Sequence, residues 1–446
     1  MNIAICTLGC KVNQYETQAM ETELVRRGHT LVPFDGPADA YLINTCTVTA
    51  VSDKKSRQLI RRAQKQAPHA LVGVCGCYAQ TAPEAVAALG VDLVAGTGGR
   101  MAFLDDLERL AEDRQAARFA GEPVVHVDNA LRRRAFEQLP AGGLEGRTRA
   151  MLKVEDGCVN FCTYCIIPYA RGPIRSLPLE EAKVQAARLA AEGYKEIVLT
   201  GIEISSWGMD FRDGSGLADL VEGICQAAPG LRVRLGSLEP RTVTEDFCRR
   251  LARLPNLCPH FHLSMQSGCD AVLKRMNRKY DTQRYYESVR LLRVSFDRPG
   301  ITTDLIVGFP GETEAEFTET LAFVEKCAFT AMHIFPYSRR TGTPAAAMDG
   351  QTPNAVKEDR AHRAGALAKK LEEAYLDGWV GHTLPVLFEE EKDGLWRGHA
   401  PNYVEVYAPG EALHNVEKTV KITERQGSRL IAVIAAPATP SGDRSN

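Results

Sequence analysis

The chain has 446 residues, which is too long for one ordinary domain of roughly 150 residues, so two or three domains are expected. Its 44% apolar and 25% charged residues are typical of a globular protein, and no apolar run reaches the ~18 residues that a membrane-spanning helix needs. The formal net charge of −2 lacks the basic excess that is common in nucleic-acid-binding proteins.

The N-terminus and the cysteine content indicate a cellular compartment. Residues 1–6 read as a buried strand and have neither the basic region nor the cleavage site of a secretory signal, so we expect a cytoplasmic protein. Thiols stay reduced in the cytoplasm. The 13 cysteines are therefore expected to bind metal or to react, and not to form a disulfide framework.

The first part of the chain alternates strands with helices. Apolar strands are expected near residues 2–6, 29–34, 40–44, 70–75 and 91–95. This alternation is typical of a doubly wound parallel sheet. We therefore predict an α/β domain over residues 1–118, followed by a linker over residues 119–146 that shows no sustained periodicity.

One segment of this domain is strongly basic. Between residues 53 and 66 the basic side chains are Lys54, Lys55, Arg57, Arg61, Arg62 and Lys65. Such runs are more often solvated helix faces than binding sites, so the charge alone decides little. If the protein binds nucleic acid, Arg61 and Arg62 are the residues expected to contact phosphates.

A second series of strands and helices starts near residue 151. Its strands are expected near residues 151–154, 195–200, 231–236, 260–265, 301–307 and 330–335. The helices at 179–192 and 314–327 have the period of amphipathic helices. Six such units predict an open, partial (β/α)6 barrel over residues 147–374.

The pattern changes after a long charged helix, which is expected over residues 356–377. Five short β-rich segments follow, at residues 383–388, 395–398, 403–407, 418–423 and 430–434. They predict a small antiparallel β-barrel over residues 375–436. The polar tail at 437–446 is expected to be disordered.

The most specific motif lies directly after the first strand of the central series. Cys158, Cys162 and Cys165 form a Cys-x3-Cys-x2-Cys motif in a loop expected at the active face of the barrel. Three thiolates at this spacing can bind three irons of a [4Fe–4S] cluster, which leaves the fourth iron without a protein ligand. In radical chemistry that iron binds S-adenosylmethionine, and an electron from the cluster then releases a 5′-deoxyadenosyl radical.

The alternative interpretation of this motif is a zinc site. Structural zinc takes four Cys or His ligands in a closed geometry, and no fourth ligand lies nearby in sequence, so we favour the iron–sulfur interpretation. The motif, Tyr164 just before its third cysteine and the six predicted βα units together resemble the radical S-adenosylmethionine superfamily.

A second group of cysteines occurs in the N-terminal domain. Cys10, Cys46 and Cys77 each follow a predicted strand. Loops at the carboxyl ends of parallel strands converge on one crevice, so these three residues are expected to meet in space. They could bind a second [4Fe–4S] cluster that also keeps one iron open.

Ordinary packing is the alternative, because free cysteine behaves as a small apolar residue. Cys75 is ambiguous, since it lies two residues from Cys77 and would point the same way along a strand. The Gly-Cys pattern at 9–10 and 76–77 favours Cys77 as the ligand. Packing is the interpretation that we prefer for Cys6, Cys225, Cys248, Cys258, Cys269 and Cys327.

Longer motifs indicate a particular family within this superfamily. The Thr-Leu-Gly-Cys-Lys-Val-Asn-Gln segment at 7–14, Asn-Thr-Cys at 44–46, Gly-Cys at 76–77 and the run 158–168 resemble the methylthiotransferases. Those enzymes combine an N-terminal cluster domain, a central radical domain and a C-terminal TRAM β-barrel. The resemblance therefore covers nearly the whole chain.

The resemblance also implies cofactors and their sites. It implies two [4Fe–4S] clusters, of which the N-terminal one handles the sulfur to be inserted, and two S-adenosylmethionine molecules per turnover, one as methyl donor and one as radical source. The residues expected to line the S-adenosylmethionine site are Tyr164, Gly201, Ser237, Glu239, Gln266 and Asp304. Glu203 matches no pattern, and its role stays open.

Members of this family act on isopentenyladenosine in tRNA, on threonylcarbamoyladenosine in tRNA, or on an aspartate of a ribosomal protein. Segments 11–14 and 78–80 are most similar to the enzymes for threonylcarbamoyladenosine at position 37 of tRNA. We therefore expect that activity, with the anticodon stem-loop as substrate and a flavodoxin or ferredoxin as reductant. The alternatives are the other two substrates and a non-catalytic iron–sulfur sensor that binds RNA.

The C-terminal segment is ambiguous about tRNA binding. Between residues 375 and 435 it has nine acids against six Lys or Arg, which weakens an electrostatic role and keeps the ribosomal-protein alternative open. Trp396 and Tyr403 could stack on unpaired bases, although aromatic residues in short strands more often pack in a core. These two residues are the aromatic candidates for contacts with nucleic acid.

Overall fold

The computed structural model describes residues 1–116, 121–140 and 148–435. The tail predicted to be disordered, at 437–446, lies outside these residues, and so does part of the predicted linker. Within the described ranges, no helix is both long enough and apolar enough to cross a membrane.

The N-terminal unit is a six-stranded sheet in which every neighbouring pair of strands is parallel, in the order β2-β1-β3-β4-β5-β6. Its strands are β1 (Asn2–Thr7), β2 (Thr30–Val32), β3 (Ala40–Thr45), β4 (Leu71–Gly76), β5 (Leu93–Ala95) and β6 (Val124–His126). Its helices are α1 (Lys11–Arg26), α2 (Ala50–Gln66), α3 (Cys77–Thr81), α4 (Pro83–Ala87) and α5 (Arg100–Gln115).

Helices cover both faces of this sheet, as predicted for a doubly wound fold. Leu24 of α1 and Phe103 of α5 pack in the core on one face, and Ile60 of α2 and Val86 of α4 pack in the core on the other. Strand β6 differs from the prediction, because it lies in the segment assigned to a linker. It is a three-residue edge strand with two exposed residues, so it has no hydrophobic alternation to reveal it.

The central unit is an open barrel of parallel strands, as predicted. Its strands are β7 (Arg149–Lys153), β10 (Glu196–Thr200), β11 (Arg232–Leu235), β12 (Ser237–Leu238), β13 (His260–Leu263), β14 (Gly300–Val307) and β15 (Ala331–Pro336), with a small hairpin of β8 (Glu155–Asp156) and β9 (Arg175–Ser176). Its helices are α6 (Ile167–Arg171), α7 (Leu179–Ala191), α8 (Leu217–Ala227), α9 (Glu245–Leu251), α10 (Asp270–Arg275), α11 (Thr282–Ser295) and α12 (Glu314–Cys327). Strands β11 and β12 are two halves of one barrel position, separated at Gly236, so the barrel has six strand positions.

The barrel strands present opposite faces to the helices and to the lumen. Leu199, Leu263 and Leu305 belong to the apolar core under the helices. Because side chains alternate along a strand, Val198 and Asp304 point inward. The lumen contains the polar side chains of His262, Asp304 and His333, which suits a site for a polar ligand.

The C-terminal unit is the predicted small β-barrel, and it follows the long helix α13 (Asn354–Asp377). It is closed by β16 (Thr383–Lys392), β17 (Leu395–His399), β18 (Glu405–Ala408), β20 (Arg429–Ile434) and β19 (Val416–Gln426), in that spatial order. Four neighbouring pairs are antiparallel, but β18 and β20 are parallel. Five strands cannot alternate in direction around a closed ring, so one parallel pair is required.

A buried ionic network joins the N-terminal unit to the central barrel. Glu16 of α1 is fully buried and accepts hydrogen bonds from Arg100 (2.6 Å) and from Lys153 of β7 (3.0 Å). It also accepts from Arg171 of α6, which donates to Asn13 at 2.6 Å. Burial alone would raise the pKa of Glu16, but Arg100 and Arg171 hold it well below its usual range.

Replacing Glu16 should destabilise the contact between the two units. Glu16→Gln removes the counter-ion of the buried Arg100 and leaves Lys153 and Arg171 to share Asp156, so we expect the free energy of unfolding to fall by about 3–5 kcal/mol. Urea denaturation followed by circular dichroism measures the change. The matched control is Glu180→Gln. It removes an exposed ion pair with Lys183 that should contribute less than about 1 kcal/mol to stability. Equal stability of the two variants would contradict the expectation.

Candidate functional site

The three cysteines of the Cys-x3-Cys-x2-Cys motif line one cavity. Cys158, Cys162 and Cys165 follow the hairpin strand β8 and surround a space of about 150 Å³ at the carboxyl ends of the barrel strands. We call these residues the radical trio. Burial raises the pKa of the Cys165 thiol to about 12, so a metal ion must displace a proton to bind there.

The backbone of this loop is fixed by close contacts. Gly157 has a φ of +95°, and a Cβ atom there would lie 2.0 Å from the carbonyl oxygen of Pro173, so only glycine fits. The amide of Cys158 donates to the carbonyl of Gly172 at 3.0 Å, and that of Thr163 donates to the carbonyl of Met276 at 3.0 Å. The positions of the three thiols are therefore determined by the fold.

Arg278 was not identified from the sequence but contacts the radical trio. Its guanidinium donates to the sulfur of Cys162 at 3.3 Å and to the carbonyl oxygen of Ser264 at 3.1 Å. The guanidinium also lies 4.8 Å from the ring centre of Tyr280. A buried positive charge beside a thiolate stabilises the negative charge of a metal–thiolate group.

Four of the six residues predicted for the cofactor site lie together with the radical trio. The lining of the same cavity includes Tyr164, Ser237, Glu239 and Gln266. Gly201 is not among the lining residues of this cavity, and a Cβ atom there would be 2.8 Å from a carboxylate oxygen of Glu155.

Glu203, whose role the sequence left open, also lines this cavity. Its carboxylate accepts hydrogen bonds from the Ser206 hydroxyl at 2.9 Å and the Ser205 amide at 3.1 Å. Burial raises the pKa of Glu203 above its usual value. Together with Glu239, it places two carboxyl groups beside the radical trio.

Asp304 lies deeper in the barrel than the other predicted cofactor residues. It is in the middle of β14, and one ligand atom each of Asp304, His262 and His333 lie within 4.8 Å of one another. The other ring nitrogen of His262 is 3.0 Å from the hydroxyl of Thr302. These three side chains form a polar layer across the lumen.

Cys10, Cys46 and Cys77 come from the carboxyl ends of β1, β3 and β4, and we call them the N-terminal trio. A Cβ atom at Gly9 would lie 3.0 Å from the sulfur of Cys46, so the first loop closely approaches the second. Burial raises the pKa of Cys77 to about 12, and the charges of Cys10 and Cys46 add to this effect. The parallel sheet therefore brings the three thiols together.

Cys75 has different surroundings from the N-terminal trio. It is fully buried in the apolar core under α1 and α5, and burial raises its pKa to about 11. The other cysteines for which packing was preferred are also buried, apart from the half-buried Cys6.

Each trio fits a [4Fe–4S] cluster in its donor chemistry. Three cysteine sulfurs converge in each case, and glycines without side chains let the loops approach closely. When bound, such a cluster supplies an open iron site and electron transfer.

The residues proposed for nucleic-acid contacts are dispersed. Arg61 and Arg62 are exposed on α2, and Arg62 pairs with Asp35. Trp396 is half-buried against the core of the C-terminal barrel. Tyr403 stacks between His260 and His399, with ring centres 4.8 Å apart in each pair, at the contact between the two barrels.

Comparison with known proteins first defines the class. Residues 152–324 match the radical SAM superfamily, and residues 2–96 match the uncharacterized protein family UPF0004. A similar solved structure is the radical S-adenosylmethionine methyltransferase TsrM from Kitasatospora setae. Its TM-score is 0.54 at 18% identity, over 77% of this chain and 75% of that chain, which supports the fold. The chain is thus a radical S-adenosylmethionine protein.

Curated relatives give a narrower family. The threonylcarbamoyladenosine tRNA methylthiotransferase MtaB of Bacillus subtilis is 42% identical, over 92% of this chain and 90% of its own length. The protein of that name from Thermotoga maritima is 40% identical, over 93% and 92%. The tRNA-2-methylthio-N(6)-dimethylallyladenosine synthase of Bacillus pumilus is 34% identical, over 94% and 83%. The chain belongs to the radical S-adenosylmethionine tRNA methylthiotransferase family.

Replacing Arg278 should change the redox behaviour of a cluster at the radical trio. Arg278→Met removes a positive charge beside Cys162, so we expect a more negative reduction potential with unchanged iron content. Titration followed by electron paramagnetic resonance measures the potential. Lys279→Met is the control, because the Lys279 ammonium contacts the side chain of Asn277 instead. An unchanged potential in the fully loaded Arg278→Met protein would contradict the assigned role.

Proposed function

We propose that this protein converts N6-threonylcarbamoyladenosine at position 37 of tRNA to its 2-methylthio derivative. The observation that carries the proposal is the presence of two cysteine trios, one in each of two adjoining units, in a chain 42% identical to the Bacillus subtilis enzyme named for this substrate. Insertion of sulfur at a carbon needs both a radical source and a sulfur-handling centre, and the two trios provide a site for each.

The radical trio and the residues around it bind and orient S-adenosylmethionine. A carbon–hydrogen bond of adenine has no acidic character, so a side chain of ordinary pKa cannot remove the hydrogen as a proton. A [4Fe–4S] cluster held by the radical trio would supply, together with S-adenosylmethionine, the radical that removes it as an atom. Glu203 and Glu239 offer carboxylate acceptors to the amino and hydroxyl groups of the cofactor, and Gln266 offers an amide.

The N-terminal trio holds the cluster that handles sulfur. Asn13 follows Cys10 by one helical turn, and its side-chain amide donates to the carbonyl oxygens of Leu8 at 2.8 Å and Thr45 at 2.9 Å. These bonds hold the first two cysteine loops of this trio against each other. Asn13 also accepts a hydrogen bond from Arg171 of the central barrel at 2.6 Å, which holds the loop of Cys10 against that barrel.

We also propose the partners that this reaction needs. The substrate is the anticodon stem-loop of tRNA, and the electron donor is a low-potential protein such as a flavodoxin or ferredoxin. We assign the C-terminal barrel to the TRAM type. We assign the enzyme to the cytoplasm, where tRNA and reduced thiols occur together.

The deciding experiment uses the anaerobic, iron-reconstituted full-length protein with dithionite and S-adenosylmethionine. Two anticodon stem-loops are supplied, one with threonylcarbamoyladenosine and one with isopentenyladenosine, and nucleosides are analysed by mass spectrometry. We expect the 2-methylthio product from the first alone. Product from isopentenyladenosine alone would overturn the substrate assignment, and absence of 5′-deoxyadenosine would favour the non-catalytic sensor.

The trios can be separated by mutation in the same assay. Cys46→Ala should still form 5′-deoxyadenosine but yield no methylthio product, because the radical trio is intact. Cys162→Ala should yield neither. If Cys46→Ala kept full methylthio formation, the N-terminal trio would have no part in sulfur insertion.

The exposed arginines of α2 are proposed to contact tRNA phosphates. Replacing Arg61 and Arg62 by Ala should weaken binding of the anticodon stem-loop. The slope of the logarithm of the binding constant against the logarithm of the salt concentration should become shallower by about 0.7–0.9 for each phosphate contact that is lost. Filter binding at several salt concentrations measures this slope. Arg109→Ala, an exposed arginine of α5 on the opposite side of the sheet, is the control. An unchanged slope in the double variant would remove the proposal.

A further inference from the structure

A second cavity lies between the central barrel and the C-terminal barrel. Its volume is about 390 Å³. Its lining combines residues of α1, of the barrel strands and of the C-terminal barrel, including Lys11, Gln14, Arg149, Arg234, Glu389 and Tyr403. All three structural units therefore contribute to one space.

The charges in this cavity are paired, with one exception among the described lining residues. Arg149 pairs with Glu389 at 2.9 Å, and Arg234 pairs with Glu196 at 2.7 Å. The Lys11 ammonium forms no hydrogen bond or ion pair within the described parts of the chain. Its ammonium is thus a positive charge that lacks a counter-ion in this space.

Gln14 adds a second polar group beside Lys11. The two residues are three positions apart in the first turn of α1, so their side chains share one helix face. The Gln14 side chain likewise has no hydrogen-bond partner among the described residues. One cation and one amide therefore line the cavity without protein partners. This arrangement is suited to binding a ligand that carries an anionic group and further polar atoms.

The cavity is close to both cysteine trios. Lys11 directly follows Cys10 of the N-terminal trio. On the barrel side, Arg234 lines this cavity, and Ser237 lines the cavity of the radical trio. The two residues are three positions apart at the same strand position of the barrel, which corresponds to about 10 Å along a strand. A base held between the two trios can extend a substituent of peptide-like dimensions, roughly 5 Å long, toward Lys11.

We propose that Lys11 and Gln14 form the subsite for the N6 substituent of the substrate, with Lys11 binding its carboxylate and Gln14 its urea or hydroxyl group. This proposal rests on the proposed function. The threonylcarbamoyl group ends in a carboxylate, which matches the unpaired ammonium. The isopentenyl group is apolar and offers this ammonium no anionic partner, so the same subsite favours the threonylcarbamoyl group over it.

The test compares two substrates in the wild-type protein and in Lys11→Gln. The substrates are an anticodon stem-loop with threonylcarbamoyladenosine and the same RNA with its carboxylate converted to the methyl ester. We expect kcat/KM of the wild-type protein to be about 10- to 100-fold higher for the free acid, because a charge-assisted hydrogen bond is lost in the ester. In Lys11→Gln this preference should shrink to less than about threefold, through a loss on the free acid alone.

Two further measurements distinguish recognition from damage to the adjacent cluster site. Lys11→Arg, which keeps the charge, should restore part of the preference for the free acid. The iron content of Lys11→Gln should match that of the wild-type protein, and Lys370→Gln, an exposed residue of α13, serves as the control.

Each outcome decides one of the proposals. If wild-type protein makes no methylthio product from threonylcarbamoyladenosine, the proposed function itself fails. If it does, but Lys11→Gln keeps the preference for the free acid, or loses activity equally on both substrates, the Lys11 subsite is wrong and the proposed function stands.

Discussion

The structure depends on the buried ionic contact between Glu16 and the cations that surround it. Glu16 lies on α1, six residues after Cys10 of the N-terminal trio. Arg171 lies on α6, directly after the radical trio. Because these two side chains bond to each other in the interior, the loop of one cysteine trio is fixed relative to the loop of the other.

This contact is costly to form and specific in its geometry. Buried charges lose their hydration, and the loss is offset only when every group has partners in good geometry. Lys153 pairs with both Glu16 and Asp156, and Arg171 donates to Asn13 as well as to Glu16. Alternative dockings of the two units would leave several of these charges unpaired. The network therefore selects one arrangement, which is what a reaction between two fixed centres requires.

The parts of the site that follow from local sequence patterns could be predicted, and the parts that depend on distant contacts could not. Both cysteine trios follow strands, and parallel strands bring such loops to one edge whatever their separation in sequence. Arg278 contacts Cys162 from 116 residues away, and no local pattern marks it. Asp304 was expected to line the cofactor site, but three residues of β14 follow it, so Asp304 lies in the lumen.

Tyr403 shows the same limit for an aromatic residue. It lies in a loop, with a φ of +70°, so strand alternation carries no information about the direction of its ring. The ring packs against Arg234 and two histidines at the contact between the barrels. This surrounding favours a role in closing the lower end of the central barrel over stacking on bases.

The position of the C-terminal barrel also changes the meaning of its acid excess. Glu389 pairs with Arg149 of the central barrel, and Glu417 pairs with Arg232. These acids therefore neutralise cations across the contact and do not form a free negative surface. Two of the nine acids are thus part of the joint between the two barrels, which leaves seven acids against six Lys or Arg to act on tRNA.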